Sequence, residues 1–174
     1  MKRCWASCLN LSIYKGIEEP VRAKQSGPVL RKEREGKSMK CMNIIAVIDH
    51  TSRKMLMCRR RKNPYMGLYN LVGGKIEPGE ESAHAAYREL REETGISEAE
   101  ISLLHFCDFT YYTFDIRLEV WFGKLNAPFD VRGEENELHW MALQENFFDM
   151  TRFAGEGNIG HIVEELRAAG LIEG

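Results

Sequence analysis

The chain has 174 residues, an apolar share of 44% and a net charge of −2. That suits one soluble domain with an ordinary core, and no apolar run approaches the ~18–20 residues of a membrane span. The charge is uneven: residues 1–38 carry nine Lys/Arg against four Asp/Glu, and residues 39–174 carry 15 against 22. An acidic body argues against coating nucleic acid, where affinity comes from neutralised phosphates. A small phosphorylated substrate stays open if a metal ion supplies the positive charge.

In chain order, the weakly apolar start is interrupted by Ser7, Asn10 and Ser12 and lacks a convincing small-residue cleavage site, so it is not read as a signal peptide. Residues 20–40 are basic, polar and unpatterned, which predicts a disordered stretch. The expected organisation is a basic extension over 1–38 and a functional domain over 39–174, beginning near Met39. The five cysteines are odd in number and form no C-x-x-C pair. They are read as free thiols of a reducing, cytoplasmic compartment. Cys4 and Cys8 have the loose spacing of a metal pair, but no partner cluster supports one.

From Asn43 the pattern is orderly. The apolar, β-branched run NIIAVIDH (43–50) predicts a buried strand, and KMLMCRRR (54–61) its hairpin partner across a turn at 50–53. NPYMG is punctuated as a loop, and LYNLV (68–72) reads as a short strand leading into Gly73-Gly74. A helix is expected from about Glu80 to Thr94, closed by Gly95. Residues 101–113 and 114–125 read as two more strands. In the second, Ile116, Leu118, Val120 and Phe122 alternate with Asp115, Arg117 and Glu119. NELHWMAL (136–143) reads as a further strand, and 158–169 as a closing helix ending at Gly170. The fold class is therefore α/β (α+β), with a mixed central sheet, one central helix and one C-terminal helix.

The central helix carries an electrostatic conflict. At ~100° per residue, Glu89, Glu92 and Glu93 share an arc of about 100°. Ala83, Ala86, Tyr87, Leu90 and Thr94 fall on the neighbouring, core-facing arc. Like charges at these spacings repel, and carboxylates in the last turn oppose the helix dipole. A solvated acidic face is one reading. A divalent cation removes both objections, because Mg²⁺ takes a few carboxylates, keeps waters and completes its shell with phosphate oxygens. Gly73-Gly74 lets backbone approach a ligand closely, and Pro78-Gly79 turns the chain into the helix.

Gly74-x5-Glu80-x7-Arg88-Glu89-Leu90-x-Glu92-Glu93-x-Gly95-Ile96 resembles the Nudix box, G-x5-E-x7-R-E-U-x-E-E-x-G-U with U apolar, at all nine defined positions. The element order from about 42 to 170 is also similar to the Nudix fold, an α/β/α sandwich. The resemblance implies a pyrophosphohydrolase that cleaves a nucleoside diphosphate linked to X with Mg²⁺ or Mn²⁺. By matched positions, Glu89, Glu92 and Glu93 would hold metal, with Glu80 nearby and the Gly73 carbonyl as a further ligand. One ridge glutamate would activate water, and Arg88 would orient the carboxylates. No Ser-His-Asp or Cys-His arrangement is needed, since phosphoryl transfer asks for positioning and charge neutralisation.

Within the family the chain looks closest to the MutT-like branch, whose best-known members hydrolyse oxidised purine nucleotides such as 8-oxo-dGTP. Arg60 in the arginine run, Asn70 before the glycine pair and Lys75 after it stand where such relatives contact phosphate or base. Each is equally readable as an exposed or turn residue. Of Glu134, Glu135 and Glu137, ahead of Trp140, Glu137 is favoured as the extra carboxylate that this family often places there, though a plain acidic loop reads as well. Asn158, after a glycine-rich loop, reads as a base contact or, better, a helix cap. Tyr111 and Tyr112 stand where hydrolases of dinucleoside polyphosphates often carry a tyrosine, and core packing explains them as well. No proline stands at the offset typical of ADP-ribose hydrolases. The alternative class is a non-catalytic nucleotide-sensing module; the intact box favours the enzyme. Expected partners are a small nucleotide, with neither nucleic acid nor membrane, and the chain is read as monomer or homodimer.

Overall fold

The computed structural model describes residues 39–133 and 135–173. The basic extension with Cys4 and Cys8, and Glu134, lie outside the described residues. The elements in order are β1 (Lys40–Ile48), β2 (Lys54–Arg59), β3 (Tyr69–Asn70), α1 (Ser82–Thr94), β4 (Leu104–Tyr111), β5 (Ile116–Lys124), β6 (Glu137–Ala142) and α2 (Asn158–Ala168). β1 and β5 run parallel over nine paired positions, from Lys40↔Ile116 to Ile48↔Lys124. The other pairings are antiparallel, so the sheet is mixed.

β1 and β5 are central, and β1 is buried on both faces from Ile45 to Ile48, which is why it reads as an apolar run. Ile45 and Val47 point to one side, with Leu56, Trp121 and α1's Ala86 and Leu90. Ala46 and Ile48 point to the other, with Met55, Met57, Val120, Phe122 and α2's Ile159, Ile162, Val163 and Leu166. One helix therefore covers each face, an α/β/α sandwich. The alternation of apolar and polar residues on β5 holds only at its start. From Glu119 to Gly123 every residue is buried, because Trp121 packs under α1.

The expected hairpin of β1 and β2 is much shorter than its sequence suggests. Asp49 closes the turn by accepting the amides of Arg53 (2.8 Å) and Lys54 (2.7 Å), but only Ile48↔Met55 pairs before the strands part. Segment 69–76 fills the gap. It pairs first with β2, Asn70 opposite Cys58. It then crosses to β1, with hydrogen bonds from Ile45 N to Val72 O, Asn43 N to Gly74 O and Ile76 N to Cys41 O at 2.8–3.0 Å. The predicted strand 68–72 is thus a connection shared by two strands, with Gly73-Gly74 at its far end. The other edge of β2 pairs with β6 along its whole length.

α1 starts at Ser82, later than Glu80. Residues 77–80 form a turn, with the Glu80 amide on the Glu77 carbonyl and the Glu77 amide on Glu80 Oε2, both at 3.0 Å. Gly95 ends the helix in the left-handed conformation (φ 78°), its amide on the Arg91 carbonyl. Leu90 is fully buried at the centre of the α1-side core. Leu90→Ala is expected to cost about 2–5 kcal/mol, measured by urea denaturation; a loss below about 1 kcal/mol would contradict this packing.

Candidate active site

The box carboxylates meet the Gly73-Gly74 backbone on the α1 side of the sheet. The Gly73 amide donates to Glu93 Oε2 at 2.9 Å. A Cβ on Gly74 would lie 2.3–2.6 Å from the Glu89 carboxylate atoms, so glycine lets Glu89 lie against the loop in this position. Gly73 has φ 137°, and a Cβ on it would lie 2.4 Å from the Asn43 carbonyl oxygen. Gly73 is thus required by backbone on backbone and by its φ, whereas a side chain at Gly74 would displace the Glu89 carboxylate.

Arg88 gathers the remaining carboxylates. Its Nε and one terminal nitrogen donate to the two oxygens of Glu80 (2.8 and 3.0 Å). The other donates to Glu89 at 2.8 Å and Glu92 at 3.4 Å, and the Lys75 carbonyl accepts a further bond at 3.0 Å. The Arg88 hydrogen bonds, then the Glu77 amide, hold the Glu80 carboxyl down to about 2. Arg88 itself is held above its usual range by Glu80 and Glu89. Glu80 is therefore fixed as an anion while Glu89 and Glu92 are aimed along the ridge.

Glu89, Glu92 and Glu93 line a cavity of about 290 Å³ with Cys58, Glu135, Asn136 and Leu138. Burial pushes the Glu93 carboxyl up to about 7, Glu89 and Glu135 add repulsion, and the Gly73 amide and Arg60 oppose the shift. Burial, then Glu93, pushes the Cys58 thiol up to about 12, so Cys58 stays neutral and the available donors are oxygens. An all-oxygen carboxylate set with a repelled, half-buried Glu93 fits a hard divalent cation.

Strand register decides where the other predicted residues go, because directly opposed residues share a face. Asn70, Cys58 and Leu138 form one row across β3, β2 and β6, which puts Asn70 on the face of the carboxylates. Tyr69, Arg59 and Glu137 form the next row, on the α2 face with Tyr69 in that core. Glu137 therefore points away from the box and ion-pairs Arg61 at 3.4 Å, with His139 Nε2 3.8 Å away. Glu135 is the carboxylate from this region that lines the cavity. Glu137 is the carboxylate that the sequence favours; the acidic run hides that β6 begins there and that Glu135 stays in the loop before it. Asn158 also lies away from the box. It caps nothing, since Gly157 is the N-cap of α2 and no side chain caps the helix; its amide donates to the Tyr111 hydroxyl. Arg60 reaches Glu93 electrostatically while its Nε donates to the Pro64 carbonyl at 2.9 Å. Lys75 is exposed.

A second group, His105, Asp108 and Glu119, brings three donor atoms within 4.8 Å of one another. Arg117 ion-pairs Asp108 (2.8 Å) and Glu119 (3.5 Å), and the Ser82 hydroxyl donates to Glu119. The cation of this network is already present as a guanidinium.

The NUDIX domain profile matches residues 39–161 of the chain. The chain belongs to the Nudix family. It is 41% identical over 59 residues to the CTP pyrophosphohydrolase of Escherichia coli, covering 33% of this chain and 44% of that relative. It is 30% identical over 104 residues to the E. coli 8-oxo-dGTP diphosphatase, covering 57% of this chain and 78% of that protein, within the MutT-like branch. The chain spans less than half the length of the CTP pyrophosphohydrolase and of the two other first-ranked curated relatives. The fold matches the crystal structure of a C. elegans Ap4A hydrolase with TM-score 0.60 and 19% identity, over 74% of this chain and 96% of that one. The Nudix fold accounts for the splayed β1–β2 pair, since the box loop occupies the gap between them.

Between its ordinary value of 4.5 and about 7, the Glu93 carboxyl binds more protons folded than unfolded, so metal-free stability falls as pH rises through that window. In EDTA at pH 8, Glu93→Gln is expected to be more stable than the parent by about 1–3 kcal/mol. The gap should close below about pH 4.5. Melting curves of the two that coincide at pH 8 would show that Glu93 carries no burial penalty.

Proposed function

We propose that this Nudix chain is a divalent-cation-dependent pyrophosphohydrolase of nucleoside diphosphate derivatives, acting in the cytoplasm through the domain from Met39. The observation that carries the reading is the carboxylate set of Glu89, Glu92 and Glu93 around one cavity, packed on the Gly73-Gly74 backbone and oriented by Arg88. These three, with Glu80 and the Gly73 carbonyl, are the residues that would hold Mg²⁺ or Mn²⁺. A cation bound there polarises phosphate oxygens and makes a coordinated water more acidic.

The chain's own groups do the rest. A ridge carboxylate accepts the proton of the water that attacks phosphorus. The pyrophosphate P–O bond breaks, and a nucleoside triphosphate yields monophosphate and pyrophosphate. Arg60 adds positive charge on the side of Glu93. Arg88 keeps Glu89 and Glu92 aimed as the charge of the site changes. A sensing module would not need four carboxylates held against repulsion around one cavity.

For the substrate, an oxidised purine nucleoside triphosphate such as 8-oxo-dGTP is the preferred reading. Its support is the likeness to the 8-oxo-dGTP diphosphatase over most of that protein's length and Asn70 on the carboxylate face, where an amide can pair with a purine edge. Dinucleoside polyphosphates are the second reading, supported by the fold of the Ap4A hydrolase. The test is hydrolysis with Mg²⁺ of 8-oxo-dGTP, ordinary dNTPs, CTP, ADP-ribose and diadenosine polyphosphates. Turnover is expected with at least one, 8-oxo-dGTP foremost; turnover of none by folded protein overturns the hydrolase.

Glu93→Gln is expected to lower kcat on the order of 10³-fold. Gly74→Ala displaces the Glu89 carboxylate, the flexible end of a side chain, so it should lower kcat at least about tenfold while Tm stays within roughly 5 °C. Normal kcat for Gly74→Ala would mean that Glu89 need not sit against the loop.

A further inference from the structure

A polar side chain lies inside the buried part of β1. Asn43 is fully buried and by alternation faces α1 with Ile45 and Val47. Its backbone N–H donates to the Gly74 carbonyl at 2.8 Å. Its Oδ1 accepts the Gly74 N–H at 3.1 Å. That bond fixes which end of the amide is oxygen. Nδ2 is then left buried with no hydrogen-bond partner. An unpaired buried donor is costly, and an apolar residue would avoid it, so the side-chain oxygen must do something no apolar residue of β1 can.

The peptide unit is planar and trans, so its N–H and C=O point in opposite directions. With the Gly74 N–H held on Asn43 Oδ1, the Gly73 carbonyl of the same unit points away from that side chain, while the Gly73 amide of the preceding unit meets Glu93. A Cβ on Gly73 would also lie 2.4 Å from the Asn43 backbone carbonyl oxygen, so β1 and the loop approach closely there. A flipped unit would turn the Gly73 carbonyl onto Asn43 Oδ1, oxygen against oxygen, and lose the Gly74 N–H bond.

We infer that Asn43 is a positioning residue of the site: its Oδ1 locks the Gly73–Gly74 peptide in the orientation that presents the Gly73 carbonyl to a cation among Glu89, Glu92 and Glu93. This rests on the proposed divalent-cation hydrolase. Asn43 lies outside the box and acts only through the loop.

Two measurements test it. In the metal-free parent protein, amide hydrogen exchange at Gly74 should be slow, comparable with the Ile45 amide that donates to Val72. Asn43→Leu, similar in volume, should bind Mn²⁺ at least about tenfold more weakly, read by EPR titration without nucleotide. Its kcat should fall by a similar factor with KM within about threefold. Mn²⁺ affinity within twofold of the parent in folded Asn43→Leu overturns the inference. If that variant does not fold, the exchange decides: a Gly74 amide exchanging like an open loop overturns it, and protection at the level of Ile45 upholds it. Because Mn²⁺ affinity is read without substrate, failure of the hydrolase reading in the nucleotide panel is a separate result.

Discussion

The Gly73 amide donates to Glu93 and the Gly74 Cα lies where any side chain would strike the Glu89 carboxylate. That contact between a bare backbone and two anions on one helix organises everything around it. It requires the loop to approach α1 without side chains. It requires the loop to be held from behind, by β1. It also gathers like charges, since carboxylates at helical spacing repel one another and one of them, Glu93, is half-buried.

The sheet supplies the support by an incomplete pairing. β1 and β2 share one pair and then separate, leaving hydrogen-bonding edges that segment 69–76 fills in turn. The same splay lets β2 keep its other edge for β6, so Cys58, Asn70 and Leu138 form a row across three strands beneath the cavity. The acidic loop before β6 then reaches it with Glu135. Loop, helix and strand row converge because one strand serves three partners.

Charge is distributed in two grades. Glu80 is ion-paired by Arg88 and is held in its ionised form. Glu93 has no such partner and is raised toward neutral pH by burial and by its neighbours. Arg88 thus does not quench the ridge. Its single charge is shared by Glu80, Glu89 and Glu92, which keeps a net negative site. The contrast is visible at His105, Asp108 and Glu119, where Arg117 supplies the cation itself.

Much of this was legible in the sequence. The period of the apolar residues predicts both helices and most strands, because burial on one face repeats at 3.6 or 2 residues. The spacing of Glu89, Glu92 and Glu93 and the glycine pair identify the carboxylate set, because helix geometry is local and fixed. Other features were decided only in three dimensions. Nothing local tells that β1 and β2 part after one pair, since that depends on which segment competes for their edges. Nothing local separates Glu135 from Glu137: two residues apart, they would share one face of a strand, and only the start of β6 at Glu137 leaves Glu135 in a loop that reaches the cavity. Asn43 reads as a strand residue among apolar neighbours until the loop, 31 positions away along the chain, is brought against it. The sequence by itself determined the chemistry of the site; the tertiary structure decided which backbone and which neighbours that chemistry meets, because those contacts join residues far apart in the chain.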